Sequence, residues 1–242
     1  MRLTIVIFDG LTALDALGGY EVLSRIPGME VEFAGLRRGI VATDTRALGL
    51  LAYRELAQVE HTDILYVPGG PGGTPLETDE AFLGHLRRLD ATSTWTVSAC
   101  NGAALLAAAG LLKGRKATTN WFYQHRLADY GATFVPVRYH RDGKYVTAAG
   151  VSASIDMGLF LIAQIGGEAL AKTIQLGVEY YPAPPFPERT PAEAPADAQA
   201  LVRTFESSMG PALLALPPNF SGSFDVLPTH PPAERGGERR TA

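Results

Sequence analysis

Cysteine is almost absent from this chain: there is one, Cys100, among 242 residues. A lone thiol cannot close an internal disulfide, so nothing here calls for an oxidising compartment. Long apolar runs are also missing. None approaches the roughly twenty residues needed to cross a bilayer, and residues 1–8 are too short for the apolar region of a secretion signal. Clustered positive charge is lacking in the body of the chain, whose formal net charge is −4. Arg235, Arg239 and Arg240 are interspersed with Glu234 and Glu238, as in a solvated tail. This balance excludes the electrostatic footprint of a nucleic-acid or anionic-membrane binder, and the expectation is a soluble cytoplasmic protein. The five histidines and one cysteine show no metal-ligand spacing, so no metal is expected.

What is present is a hydrophobic content of 46%, enough for a sizeable core. Apolar runs alternate with helical patterns, the βαβ rhythm of a doubly wound, mostly parallel sheet with helices on both faces. Strands are predicted at residues 3–8, 31–36, 63–67 and 94–98, with short ones at 46–51 and 116–119. Helices are predicted at 12–26, 53–59, 79–89, 105–109, 121–130, 152–165 and 168–178. The Asp142-Gly143 turn between 133–139 and 145–148 predicts a hairpin. From Tyr181 onward Pro182, Pro184, Pro185 and Pro187 impose an extended path. Residues 1–190 therefore read as one α/β domain, and 191–242 as an extension with one short helix, at 198–209, and a poorly ordered Pro/Gly-rich tail.

Chemistry centres on Thr94-Trp95-Thr96-Val97-Ser98-Ala99-Cys100-Asn101-Gly102. A strand ends, small residues let the backbone reverse, and a helix begins, which is the pattern of a nucleophile elbow with Cys100 at its tip. First-turn amides and the helix dipole are expected to favour the thiolate there. The plainer reading is a small buried hydrophobe. Position decides against it, because the carboxyl edge of an open α/β sheet is where ligands bind. Asp15, in the first strand–helix connection, reads either as a helix cap or as a carboxyl group beside Cys100 with a raised pKa. Glu21 is the competing acid. The glycine loop 69–73 follows a buried strand and either aims backbone amides at an oxyanion or is a plain turn. No histidine is placed to activate the thiol, which counts against a Cys-His hydrolase.

With Ala107-Ala108, Gly110-Leu111-Leu112 and Ala117-Thr118-Thr119-Asn120-Trp121, the elbow resembles the ThiJ/PfpI superfamily, and within it the isocyanide (isonitrile) hydratases. Leu14-Asp15, Glu21-Val22-Leu23, Pro68-Gly69-Gly70, Arg141-Asp142-Gly143 and Tyr180-Tyr181-Pro182 extend the likeness over residues 1–190. The resemblance implies a flavodoxin-like, class I glutamine amidotransferase-like fold, a homodimer and no cofactor. It also implies Cys100 as nucleophile, Asp15 as its acid/base, and the amides of Gly70 and Asn101 as polar donors. The hydratases carry threonine where this chain has Asn101. The activity implied is hydration of an isocyanide to an N-substituted formamide. Transcription regulators share the domain, so the alternatives are a redox-sensing or regulatory module, or another cysteine chemistry such as a glyoxalase or amidohydrolase.

Overall fold

The computed structural model describes residues 1–186 and 190–218. Its strands are β1 (Arg2–Val6), β2 (Glu30–Gly35), β3 (Gly39–Ala42), β4 (Gly49–Ala52), β5 (Arg54–Glu55), β6 (Ile64–Val67), β7 (Trp95–Ser98), β8 (Lys116–Ala117), β9 (Thr133–Phe134), β10 (Tyr139–Asp142) and β11 (Tyr145–Ala148). Seven of them form one sheet in the order β10-β11-β7-β6-β1-β2-β5. Every described pairing in it is parallel except β10 with β11. All four residues of β6 are buried, as expected of a central parallel strand covered on both faces. The expected fold is therefore the observed one.

The helices are α1 (Ala13–Leu23), α2 (Glu80–Thr92), α3 (Gly102–Ala108), α4 (Gln124–Asp129), α5 (Ala153–Gly166), α6 (Glu168–Gly177), α7 (Ala196–Thr204) and α8 (Gly210–Leu214). One layer is α1, α5 and α6, the other α2, α3 and α4. Helix α2 starts at a true cap, with the Asp79 carboxylate accepting from Phe82 N–H, and buries Phe82, Leu83, Leu86 and Leu89 on one stripe.

Three expectations change. Residues 133–139 are not one hairpin arm. Pro136 has no N–H to give a ladder, so the run splits into β9, which pairs in parallel with β8, and β10, which forms the hairpin. Residues 53–59 divide into the edge strand β5 and a 3₁₀ turn at Leu56–Gln58. The extension is more structured than one short helix. Beyond α7 a π turn, Phe205–Met209, leads directly into α8. The tail expected to be poorly ordered lies largely in 219–242, outside the described residues.

Candidate active site

Strand β7 ends at Ser98, and the chain turns sharply before α3. Cys100 holds a φ of +55°, a left-handed conformation that costs a non-glycine residue energy and persists only when its surroundings enforce it. They do: Cys100 N–H donates to the Ala149 carbonyl at 2.9 Å, and the Cys100 carbonyl accepts from the Thr119 hydroxyl at 2.7 Å. Gly102 is required because a Cβ there would run into the Val67 carbonyl oxygen. Cys100, a residue 5% exposed, is thus held by its backbone on the wall of a pocket of about 210 Å³.

Asp15 meets that sulfur from behind. Strand β6 lies between β1 and β7, so the two strands are not neighbours, yet both residues reach the same carboxyl edge of the sheet. Because α1 starts at Ala13, Asp15 falls inside its first turn and is no cap. Its backbone is fixed on both sides: the Tyr66 hydroxyl donates to the Asp15 carbonyl, and Asp15 N–H donates to Thr12 at 3.1 Å. The carboxyl group is wholly buried and neither oxygen has an aligned hydrogen-bond partner. The groups facing it are the Cys100 thiol and Gly69 N–H. Burial, as the main cause, pushes Asp15 up to about 8.

The thiol goes the same way, and this corrects the expectation of a readily formed thiolate. Burial and then the Asp15 charge raise Cys100 well above the ordinary thiol range, while Asn101 N–H, facing the sulfur, pulls less strongly down. Two groups that cannot both be charged in one dry space titrate as a unit. The dyad therefore keeps its protons at neutral pH.

The loop after β6 also differs from expectation. Gly70 N–H donates to Asn101 Oδ1 at 2.6 Å, and Asn101 Nδ2 donates to the Gly70 carbonyl at 3.0 Å. The Asn101 side chain thus occupies the whole Gly70 peptide, and that amide is no free donor to a substrate. Gly70 still lines the pocket, with a φ of +134° and no room for a Cβ against Thr12 N. Glu21 is corrected outright: it is exposed on the outer side of α1 and paired with Arg25 one turn on. Thr12, Asp44, Pro71, Asn120, Tyr123, Val151 and Glu206 complete the described lining, and none was picked out as a site residue from sequence. No described histidine lines the pocket.

A model of the DJ-1/PfpI family matches residues 1–164, the part of the chain that carries Asp15, the glycine loop, the elbow and Thr119. The chain belongs to the DJ-1/PfpI family. Among relatives, it is 35% identical over 195 residues to the isonitrile hydratase of Pseudomonas putida, a match covering 81% of this chain and 85% of that one. It is 36% identical over 121 residues to the HTH-type transcriptional regulator CdhR of Pseudomonas aeruginosa, covering 48% of this chain and 35% of the regulator. A crystal structure of a ThiJ/PfpI family protein from Pseudomonas syringae superposes with a TM-score of 0.82 at 28% identity, over 89% of this chain and 90% of that one. Glu206 lies beyond the residues that the DJ-1/PfpI model matches.

Proposed function

We propose that this chain hydrates isocyanides, R–N≡C, to N-substituted formamides, with Cys100 as nucleophile and Asp15 as acid/base. The observation carrying this reading is the buried Asp15 carboxyl group set directly against the only thiol, with no imidazole among the described residues of the pocket. The likeness to the Pseudomonas putida hydratase supports it. An isocyanide has no leaving amine to protonate, so one carboxyl group suffices where amide hydrolysis would need an imidazole.

The reactive dyad holds one proton. Sulfur bonds to the terminal carbon while the Asp15 carboxyl group delivers its proton to that carbon, giving the thioimidate R–N=CH–S–Cys100. The Asp15 carboxylate then takes a proton from water as the hydroxyl oxygen bonds to the same carbon. Asp15 passes that proton to nitrogen and then takes the proton of the added hydroxyl as the C=O bond forms and the C–S bond breaks, sulfur leaving with the electron pair. R–NH–CHO departs and the dyad is again singly protonated. Asn101 N–H, facing the sulfur, stabilises the charge there before attack and after release.

The test is a panel of isocyanides assayed for formamide. Wild type is expected to turn over. Cys100→Ala should leave nothing above background, and Asp15→Asn should lose about a hundredfold or more in kcat. Full activity in the Cys100 variant would refute the assignment. We further infer a homodimer, for which light scattering should give twice the chain mass.

A further inference from the structure

The pocket has a wall that the family match does not cover. Along the C-terminal segment the residues at 201–205, 207 and 208 are exposed, while Glu206 is half-buried and Gly210, one turn later, is buried. That inward edge is attached at separate points. The Tyr123 hydroxyl donates to Glu206 Oε2 at 3.1 Å, Arg46 Nε donates to the Leu216 carbonyl at 3.0 Å, and the Arg203 guanidinium stacks 4.5 Å over the Trp121 ring. Leu214 packs onto Gly10, and Gly210 sits against Pro71. The segment is thus built into the pocket rim, and Glu206 is its contribution to the lining.

The second acid of the lining, Asp44, comes from the opposite end of the chain. Its carboxylate accepts from the Thr12 hydroxyl at 2.6 Å and from Thr45 N–H at 2.8 Å. Both carboxylates are held as acceptors by neutral donors, and no described lining residue is basic. Their negative potential acts on whatever approaches Cys100, and the charge of Glu206 is among the influences that reach the sulfur. A cleft lined by one sign of charge concentrates ligands of the other sign and repels its own.

We propose that Glu206, delivered by the C-terminal segment and assisted by Asp44, is a specificity residue that selects substrates carrying a cationic or hydrogen-bond-donating group and rejects anionic ones. Applied to the proposed reaction, the favoured substrate is an isocyanide bearing an ammonium or amino group. That extension rests on the hydratase reading; the acidic wall itself does not.

The test separates the two. Because Cys100 is the only cysteine, intact mass reads its modification without ambiguity. The full chain is treated with a cationic methanethiosulfonate, the trimethylammonium-ethyl reagent, or an anionic one, the sulfonato-ethyl reagent. In both, sulfur attacks the thio sulfur, methanesulfinate leaves with the electron pair, and the thiol proton goes to solvent. Rates are normalised to a small free thiol. Wild type should favour the cation by about tenfold at low salt, and Glu206→Gln should cut that preference by about threefold or more. Glu206→Asp, which keeps the charge, should retain it. Glu168→Gln makes the same change in net charge at the start of α6, beyond the far end of α5 and so about 20 Å along that fourteen-residue helix from its first turn, and should leave it unchanged. Equal preference in wild type and Glu206→Gln would overturn the proposal, as would failure of the cationic reagent to reach Cys100. In parallel, ammonium-bearing, neutral and carboxylate-bearing isocyanides are assayed. Charge-selective labelling without turnover of any isocyanide would uphold the wall and sink the hydratase reading. Turnover blind to Glu206→Gln would do the reverse.

Discussion

Asp15 is the residue whose environment sets the pH behaviour of the whole site. The folded chain keeps its proton to about pH 8, whereas an unfolded chain releases it near pH 4. Between those values the folded state binds the extra proton, so stability falls as pH rises through the window and levels off above it. Asp15→Asn removes the ionisation. Its melting temperature relative to wild type should therefore climb steadily from pH 4 to pH 8, and a constant difference across that range would contradict the assignment. Activity should move in the opposite sense to stability. The singly protonated dyad forms only as the first proton leaves, so kcat/KM should rise up to about tenfold per pH unit until about pH 8. Local pattern marks the elbow and leaves Asp15 as either a cap or an acid beside the thiol; it is the family resemblance that implies the two belong together. The direction of the thiol's shift is legible in neither. It comes from burial and from a charge 85 positions away in sequence, and these outweigh the local amides that a sequence window contains.

At the scale of elements, the elbow and the glycine loop act as one unit because the Asn101 side chain spans the Gly70 peptide with two hydrogen bonds. Asn101→Ala would leave a buried N–H and a buried carbonyl unsatisfied, at about 1–3 kcal/mol for each group that finds no other partner. Chemical denaturation should show that loss. Asn101→Gln would not restore it, since the longer side chain overshoots both groups; recovery by glutamine would show that the clamp is not geometric. The strands, the helices flanking them and the elbow could be read ahead because periodicity and turn chemistry are local. The clamp could not, since it joins residues 31 apart through a side chain whose identity alone suggests only a helix start. Likewise Thr119 stands in a recognisable motif, but only the folded chain reveals that its hydroxyl holds the strained Cys100 carbonyl.

On the scale of the whole molecule, the pocket is assembled from both ends of the chain, and Arg46 is where they meet. Its guanidinium, on a side chain 8% exposed, donates to Asp9 Oδ2 at 2.8 Å and to the Leu216 carbonyl at 3.0 Å, joining the first loop to the residues just after α8. Nothing in a proline-rich stretch of mixed polarity announces such a docking, because a segment whose inward positions include a glutamate, Glu206, and a glycine, Gly210, as well as Leu214 leaves almost no periodic trace of apolar residues. The exposed Asp9 makes that ion pair worth little by itself, so the bond from the buried Arg46 side chain to the Leu216 carbonyl is the part that anchors. Arg46→Met keeps the bulk and loses both bonds. Amide hydrogen exchange in residues 196–214 should then accelerate, by about tenfold for each ~1.4 kcal/mol of anchoring lost, while β1, β6 and β7 stay protected. Labelling of Cys100 by a neutral reagent should speed up in step as the wall loosens. Unchanged exchange in that segment would mean that α7 and α8 hold to the body through Tyr123, Trp121 and Gly10 alone, and that Arg46 serves only the loop on which it stands.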